Sequence, residues 1–150
     1  MNIIAKNKKA FYEYFINDTL EAGIVLNGDE VKSLRQGKVS INEAFAETEN
    51  GELWLINANI SSYKNAAKVY ISDEKRKRKL LLKKKDISTF QGKVEREGYT
   101  IVPIKIYFNK KGIAKVEIAV AKGKKLYDKR EDKKQKDWNK QKQRLLRNFK

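Results

Sequence analysis

The chain has 150 residues, of which 40% are hydrophobic and 36% are charged, and its 35 lysines and arginines against 19 acidic residues give a net charge of +16. It contains neither cysteine nor histidine, which excludes disulfides, thiolate metal sites and Ser-His-Asp catalysis. A domain this basic is typical of proteins that bind nucleic acid.

The first predicted elements are a strand region and a short helix. Aromatic and β-branched residues dominate Phe11–Leu26, which predicts one long bent strand or two short ones. The segment NGDEVKSLRQGK then predicts a helix with Asp29 as its N-cap and Gly37 after its last turn. Val31 and Leu34 share the side of this helix that we expect to be buried.

Two hairpins and a second helix are predicted further along the chain. Apolar stretches flank Asn50-Gly51, a dipeptide that accepts the positive φ angles of a type I′ turn. A second hairpin turns at Asn109–Gly112, and its return strand alternates with three inward residues: Val116, Ile118 and Val120. Between the hairpins, KKDISTFQGKVEREG has helical spacing and ends at Gly98.

This order of elements predicts a mainly β fold. Short antiparallel strands with helices between them favour a small antiparallel oligonucleotide-binding-type barrel with two or three short helices and a basic C-terminal tail. A β-sandwich is the alternative. We expect an RNA-binding barrel domain over residues 1–130 and a tail over residues 131–150.

No segment predicts secretion or a membrane location. The first residues contain no signal-peptide apolar core, and no apolar run approaches the ~18 residues that span a membrane. We therefore expect a cytoplasmic protein without a membrane partner.

Two basic clusters, Lys75–Lys79 and Lys83–Lys85, flank the leucine triplet Leu80–Leu82. The triplet predicts a strand, so the clusters lie near its two ends. One interpretation is a polar loop around an ordinary core strand. The other is an edge that follows an RNA backbone through phosphate contacts, which makes Arg78 and Lys79 candidate RNA-binding residues.

Further candidates lie on the short helix and on strand rims. Lys32 and Arg35 face outward from the helix, where they are available to phosphates. Asn7 and Glu21 lie near aromatic residues, where a polar side chain reaches base edges or ribose hydroxyls.

The sequence offers no motif for catalysis. No phosphate-binding loop is complete, and the carboxylates are scattered rather than paired. We predict that the protein is not an enzyme and has no cofactor, metal or small-molecule substrate. A metal-dependent nuclease with converging carboxylates remains the enzymatic alternative.

Four segments occur in order along the chain: YFINDTLEAGIVLNGDEVKSLRQGK, RKLLL, GYTIVPIKIYF and VAKGKKLYDKR. Together they resemble the small protein B (SmpB) family, the bacterial tmRNA-binding (SsrA-binding) proteins of trans-translation. The resemblance extends from Asn7 to the basic tail. The chain departs from the family pattern after ISSY, where the usual prolines are missing from SSYKNAAKVYISDEKRKRK. We leave the path of that loop open.

The resemblance implies a function and a set of site residues. It implies binding to the tRNA-like domain of tmRNA at the D-loop elbow and delivery to stalled ribosomes, where the barrel replaces the missing anticodon arm. Asn7, Glu21 and Leu81 are then RNA-facing. The family places a further set towards the decoding centre of the small subunit: Lys124, Lys125, Tyr127, Asp128, Lys129 and Arg130. A ribosomal or ribosome-assembly protein is the alternative function.

The last residues carry a thin helical pattern. Trp138, Leu145 and Phe149 fall on one narrow face of a helix. The lysines of this segment repel one another, and a lone helix of ~20 residues is marginal in water. We therefore expect the tail to be disordered in the free protein and helical on the ribosome, where the resemblance implies contacts of Trp138 and Leu145 with the mRNA channel.

Overall fold

The computed structural model describes residues 2–61, 74–124 and 137–141. The strands are β1 (Asn2–Lys6), β2 (Tyr14–Ile24), β3 (Val39–Ser40), β4 (Phe45–Glu49), β5 (Glu52–Ile56), β6 (Asn59–Ile60), β7 (Arg78–Leu81), β8 (Thr100–Phe108) and β9 (Ala114–Gly123). The helices are α1 (Lys8–Glu13), α2 (Gly28–Arg35) and α3 (Lys84–Glu97). Residues 137–141 are also helical.

Seven of these strands form one antiparallel sheet in the order β1-β8-β4-β5-β7-β2-β9. β9, the last strand in this order, also pairs with β8, the second strand. The short strands β3 and β6 pair separately. The prediction of a mainly β fold of the oligonucleotide-binding type is confirmed.

The core lies inside this sheet and follows the predicted alternation. Val116, Ile118 and Val120 of β9 are completely buried, as their spacing predicts. Helix α3 adds Ile87 and Phe90 to the same core, and it ends at Gly98, which has the left-handed conformation. The helical spacing of this segment and its glycine stop are therefore confirmed.

The turn between β4 and β5 has the predicted chemistry. Asn50 and Gly51 have φ angles of 54° and 76°, which is the pair of positive values that a type I′ turn needs. The strands on either side pair in register from Phe45 with Ile56 to Glu49 with Glu52.

The N-terminal region differs from the prediction. Phe11–Leu26 does not begin as a strand, because residues up to Glu13 belong to α1. Ala10 of this helix is buried against the outer surface of β8 and β9, beside Val102 and Ala119. Tertiary packing of one small residue outweighs the strand propensity of the aromatic residues around it.

The start of α2 also differs from the prediction. Asn27, and not Asp29, is the N-cap, since its Oδ1 accepts a hydrogen bond from the Glu30 N–H at 2.8 Å. The Glu30 side chain accepts in return from the Asn27 N–H at 3.0 Å. This reciprocal capping box satisfies two backbone donors that the first turn leaves without helical partners.

Candidate nucleic-acid interface

Glu21 and Leu81, two of the predicted RNA-facing residues, lie close together on the outer surface of the sheet. Gly23 of β2 pairs with Leu81 of β7, and Glu21 is two positions away from Gly23 on the same side of β2. Both Glu21 and Leu81 are exposed, and half of the Leu81 surface (52%) is accessible. Sheet register therefore joins an acceptor and an apolar side chain that are 60 residues apart in the chain.

Leu81 belongs to a small apolar surface beside cations. Val25, which follows β2, is 45% exposed, and its N–H donates to Lys79 O at 3.0 Å. A Cβ at Gly23 would lie 3.2 Å from the Leu81 Cβ, so the glycine leaves room for the leucine. Lys83, just beyond β7, is exposed. The surface can thus contact ribose or base faces while lysine binds phosphate.

Glu21 is held by a neighbour within the sheet. The hydroxyl of Tyr107 on β8 donates a hydrogen bond to Glu21 Oε2. Burial of Tyr107, together with the nearby Glu21 carboxylate, raises the pKa of its hydroxyl above the ordinary value. Tyr107 is therefore a protonated donor at neutral pH, and Glu21 Oε2 is its acceptor.

Helix α2 presents its two cations as predicted. Lys32 and Arg35 are exposed, whereas Leu34 is completely buried and Val31 is half-buried. Arg35 borders an open cleft of about 540 Å³ that strand β1 also lines. The position of both cations is compatible with phosphate contacts.

Asn7, a predicted RNA contact, caps a helix in the structure, and its contact with RNA stays a prediction. Its side chain is buried, with 2% exposed. The Asn7 Oδ1 accepts from Ala10 N at 3.0 Å and caps α1, while Nδ2 donates to Pro103 O at 2.9 Å. Both ends of the amide are thus hydrogen-bonded within the protein.

Arg78 is likewise not a surface cation, which corrects its prediction as a phosphate contact. It is completely buried, and its Nε lies 2.6 Å from Glu30 Oε2. Its Nη1 donates to Ala58 O at 2.7 Å and its Nη2 to Glu74 O at 2.9 Å. Neighbouring Lys79 is partly exposed and pairs with Glu52 at 2.9 Å.

Glu30 is the centre of this buried cluster, which the sequence did not reveal. Arg76 also donates to both of its oxygens. Burial opposes ionisation of Glu30, but the hydrogen bonds from Arg76, from the Asn27 N–H and from Arg78 outweigh it and hold the pKa of this carboxyl below its ordinary value. The spacing Asn27-x-x-Glu30 matches a capping box and indicates the helix start from the sequence. No sequence pattern indicates that Arg76 and Arg78 pair with Glu30.

The residue that follows β9, Lys124, is attached to α1. Lys124 N donates to Glu13 O at 2.8 Å, and its Nζ lies 5.1 Å from the centroid of the Phe15 ring. Trp138, in the helical residues 137–141, is 59% exposed. The remaining predicted contacts with the decoding centre and the mRNA channel lie outside the described residues: Lys125, Tyr127, Asp128, Lys129, Arg130 and Leu145.

Among residues 2–61, 74–124 and 137–141, no group of three or more acidic side chains is arranged to hold a metal ion. Within the same ranges, no helix has the length and apolar character needed to cross a membrane.

Comparisons with known proteins agree with this fold. The family model described as SmpB protein matches residues 4–148. The SsrA-binding protein of Nitrobacter hamburgensis is 54% identical over 147 residues, covering 98% of this chain and 93% of that protein. The SsrA-binding protein of Sinorhizobium fredii is 52% identical over 145 residues, covering 97% and 91%. A solved structure described as "tmRNA-SmpB: a journey to the center of the bacterial ribosome" contains a chain with 49% identity and a TM-score of 0.68, covering 81% of this chain and 85% of that chain.

Proposed function

Because the chain belongs to the SmpB protein family, we propose that it is a non-enzymatic RNA-binding adaptor of trans-translation. It binds the tRNA-like domain of tmRNA and delivers it to stalled ribosomes, so that incomplete proteins are tagged. The observation that carries this proposal is the family match over almost the whole chain, residues 4–148. The same proposal locates the protein in the cytoplasm, where ribosomes translate.

The surface around Glu21 and Leu81 supports a role in RNA selection. Phosphate contacts from lysine and arginine give affinity with little choice of sequence, because every RNA carries phosphates. A carboxylate in a basic protein repels phosphate and accepts hydrogen bonds only from base N–H groups or ribose hydroxyls. Glu21 therefore favours an RNA that presents such donors, such as the splayed bases of an elbow formed by loops.

We assign the tail to the ribosome. In this proposal the segment after Lys124 extends from the barrel towards the decoding centre and mRNA channel, with Trp138 among its contacts. The attachment of Lys124 to α1 supports this assignment, since it fixes the end of β9 from which the chain continues to the tail. The positive charge of the tail suits a wall of ribosomal RNA.

The test is the identity and selectivity of the bound RNA. The protein is purified from its native host and the co-purifying RNA is sequenced; we expect one abundant species, tmRNA. The pure protein is then titrated with a transcript of the tRNA-like domain and with bulk tRNA over a range of salt. We expect selectivity for the transcript and a fall of log affinity with log salt of ~0.7–0.9 per phosphate contact. Equal affinity for bulk tRNA contradicts the proposal.

The enzymatic alternative has its own test. Labelled transcript incubated with the protein and Mg²⁺ stays intact if the protein is an adaptor. Cleavage that is abolished by a chelator would replace the adaptor with a nuclease.

A further inference from the structure

Four polar side chains form a connected group on the outer surface of β2, β9 and β8: Glu21, Glu117, Lys105 and Tyr107. Tyr107 donates to Glu21, and Lys105 Nζ lies 3.4 Å from Glu117 Oε2. The same ammonium lies 5.6 Å from the centroid of the Tyr107 ring. We call this group the outer polar network.

The hydrogen bond from Tyr107 to Glu21 crosses a whole strand. β9 pairs with β2 on one side and with β8 on the other, so it lies between the two residues. Glu117 and Lys115 project from its outer surface, while Val116 between them points into the core and is completely buried. The outer surface above Val116 therefore carries no side chain of β9, which leaves room for the Tyr107 hydroxyl to reach β2.

The outer polar network contains contacts that are unfavourable for the stability of the sheet. Glu21 and Glu117 are direct partners in the β2–β9 register, and like charges in opposite positions destabilise a sheet. Lys105 offsets part of this repulsion by pairing with Glu117. An exposed glutamate that is fixed in one position also loses rotamer freedom. Such an arrangement is expected where the position of the carboxylate matters for function.

Tyr107 is built to remain a donor. Only 3% of its surface is exposed, although its partner Glu21 is accessible. Its hydroxyl uses one of the roughly four acceptor positions of the carboxylate, so the others remain for a ligand. The buried Tyr107 hydroxyl thus fixes the position of the Glu21 carboxylate, while the carboxylate itself remains accessible to a ligand.

We propose that Tyr107 is a positioning residue, which holds the Glu21 carboxylate for hydrogen-bond donors of the bound RNA. The Lys105–Glu117 pair supports it by neutralising the carboxylate next to Glu21. This inference rests on the proposed function, in which Glu21 is the RNA contact. The recognised chemistry is a base N–H or a ribose hydroxyl, since a carboxylate excludes phosphate.

The test is a double-mutant cycle that uses the full chain and a transcript of the tRNA-like domain. Tyr107→Phe removes only the hydroxyl. We expect it to weaken the affinity about fivefold to tenfold, the usual net effect of losing one hydrogen bond. In the background of Glu21→Ala we expect the same change to cost less than about twofold, because the positioned group is already gone. Tyr99→Phe, at a half-buried tyrosine outside the network, is the matched control and should change affinity less than about twofold.

Each outcome decides the inference. Wild-type affinity in Tyr107→Phe overturns it, and so does an equal loss with and without Glu21, because a merely structural role would act in both backgrounds. Unchanged affinity in Glu21→Ala also overturns it. The proposed function is judged separately, from the selectivity of the wild-type protein for the transcript over bulk tRNA.

Discussion

Glu30 and Arg78 form an ion pair in which both partners are inside the protein. The Arg78 Nε lies 2.6 Å from Glu30 Oε2, and the two side chains are 0% and 2% exposed. Through this pair the first turn of α2 is joined to β7, and the guanidinium also reaches the backbone at Ala58 and Glu74. The pair thus connects three parts of the chain around the core.

We first predict that Glu30→Gln destabilises the protein strongly. The substitution leaves the buried Arg78 guanidinium without its carboxylate, and breaking one side of a buried pair costs about 3–5 kcal/mol. Urea unfolding followed by circular dichroism measures the change. Glu47→Gln, at an exposed position of β4, is the matched control and should stay within about 0.5 kcal/mol of wild type. Equal stability of the two variants would contradict the prediction.

The second prediction concerns the stability of the protein at low pH. The pKa of Glu30 in the folded protein lies below its ordinary value, so its ion pairs contribute stability above the unfolded pKa of ~4.3. That contribution is lost as the pH falls through the folded pKa. We expect the difference in unfolding free energy between wild type and Glu30→Gln to shrink from pH ~6 to pH ~3. Urea titrations at several pH values test this, and a constant difference argues against it.

The third prediction separates two adjacent leucines. Leu80 is 1% exposed and lies in the core, so Leu80→Ala should cost about 2–5 kcal/mol of stability. Leu81 is 52% exposed, so Leu81→Ala should change stability by less than about 1 kcal/mol but weaken binding of the tRNA-like domain. Thermal unfolding and RNA titration are measured on both variants. If Leu81→Ala binds RNA like wild type, Leu81 is not part of the interface.

The fourth prediction concerns the tail. Truncation after Arg130 should leave the affinity for tmRNA within a few-fold and abolish tagging on stalled ribosomes. Gln141→Pro should act in the same way, because a proline inside a helix costs ~3 kcal/mol or more, and Gln141→Ala is its control. An in vitro translation assay with tmRNA measures tagging. Normal tagging by the truncated protein would show that the tail is dispensable, and loss of tmRNA binding would place it in the barrel's RNA interface.

Local patterns predicted the elements that depend on local physics. The alternation of Val116, Ile118 and Val120, and the Asn50-Gly51 turn, need no knowledge of distant residues. Helix α1 was missed because its cap, Asn7, also depends on a hydrogen bond to Pro103, which lies 96 residues away. Tertiary contacts of this kind leave no periodic signal.

In the candidate site, too, local patterns predict some residues correctly, whereas residues that depend on tertiary contacts are not predicted. The outward position of Lys32 and Arg35 follows from helical spacing, and the structure agrees. Arg78 was assigned to the surface with its basic neighbours, because its carboxylate partner is 48 residues away and α2 and β7 must pack before they meet. The link between Glu21 and Tyr107 depends on the order of β2, β9 and β8, so it could be found only in the assembled sheet.

The backbone contacts around Arg78 have a consequence for how this chain can vary in evolution. The Ile60 N–H donates to Glu74 O at 2.9 Å, and Arg78 binds both Ala58 O and Glu74 O. The two ends of the intervening segment are thereby joined independently of its sequence. Substitutions between Ser61 and Glu74 therefore leave these three hydrogen bonds in place, provided that Arg78 itself is kept.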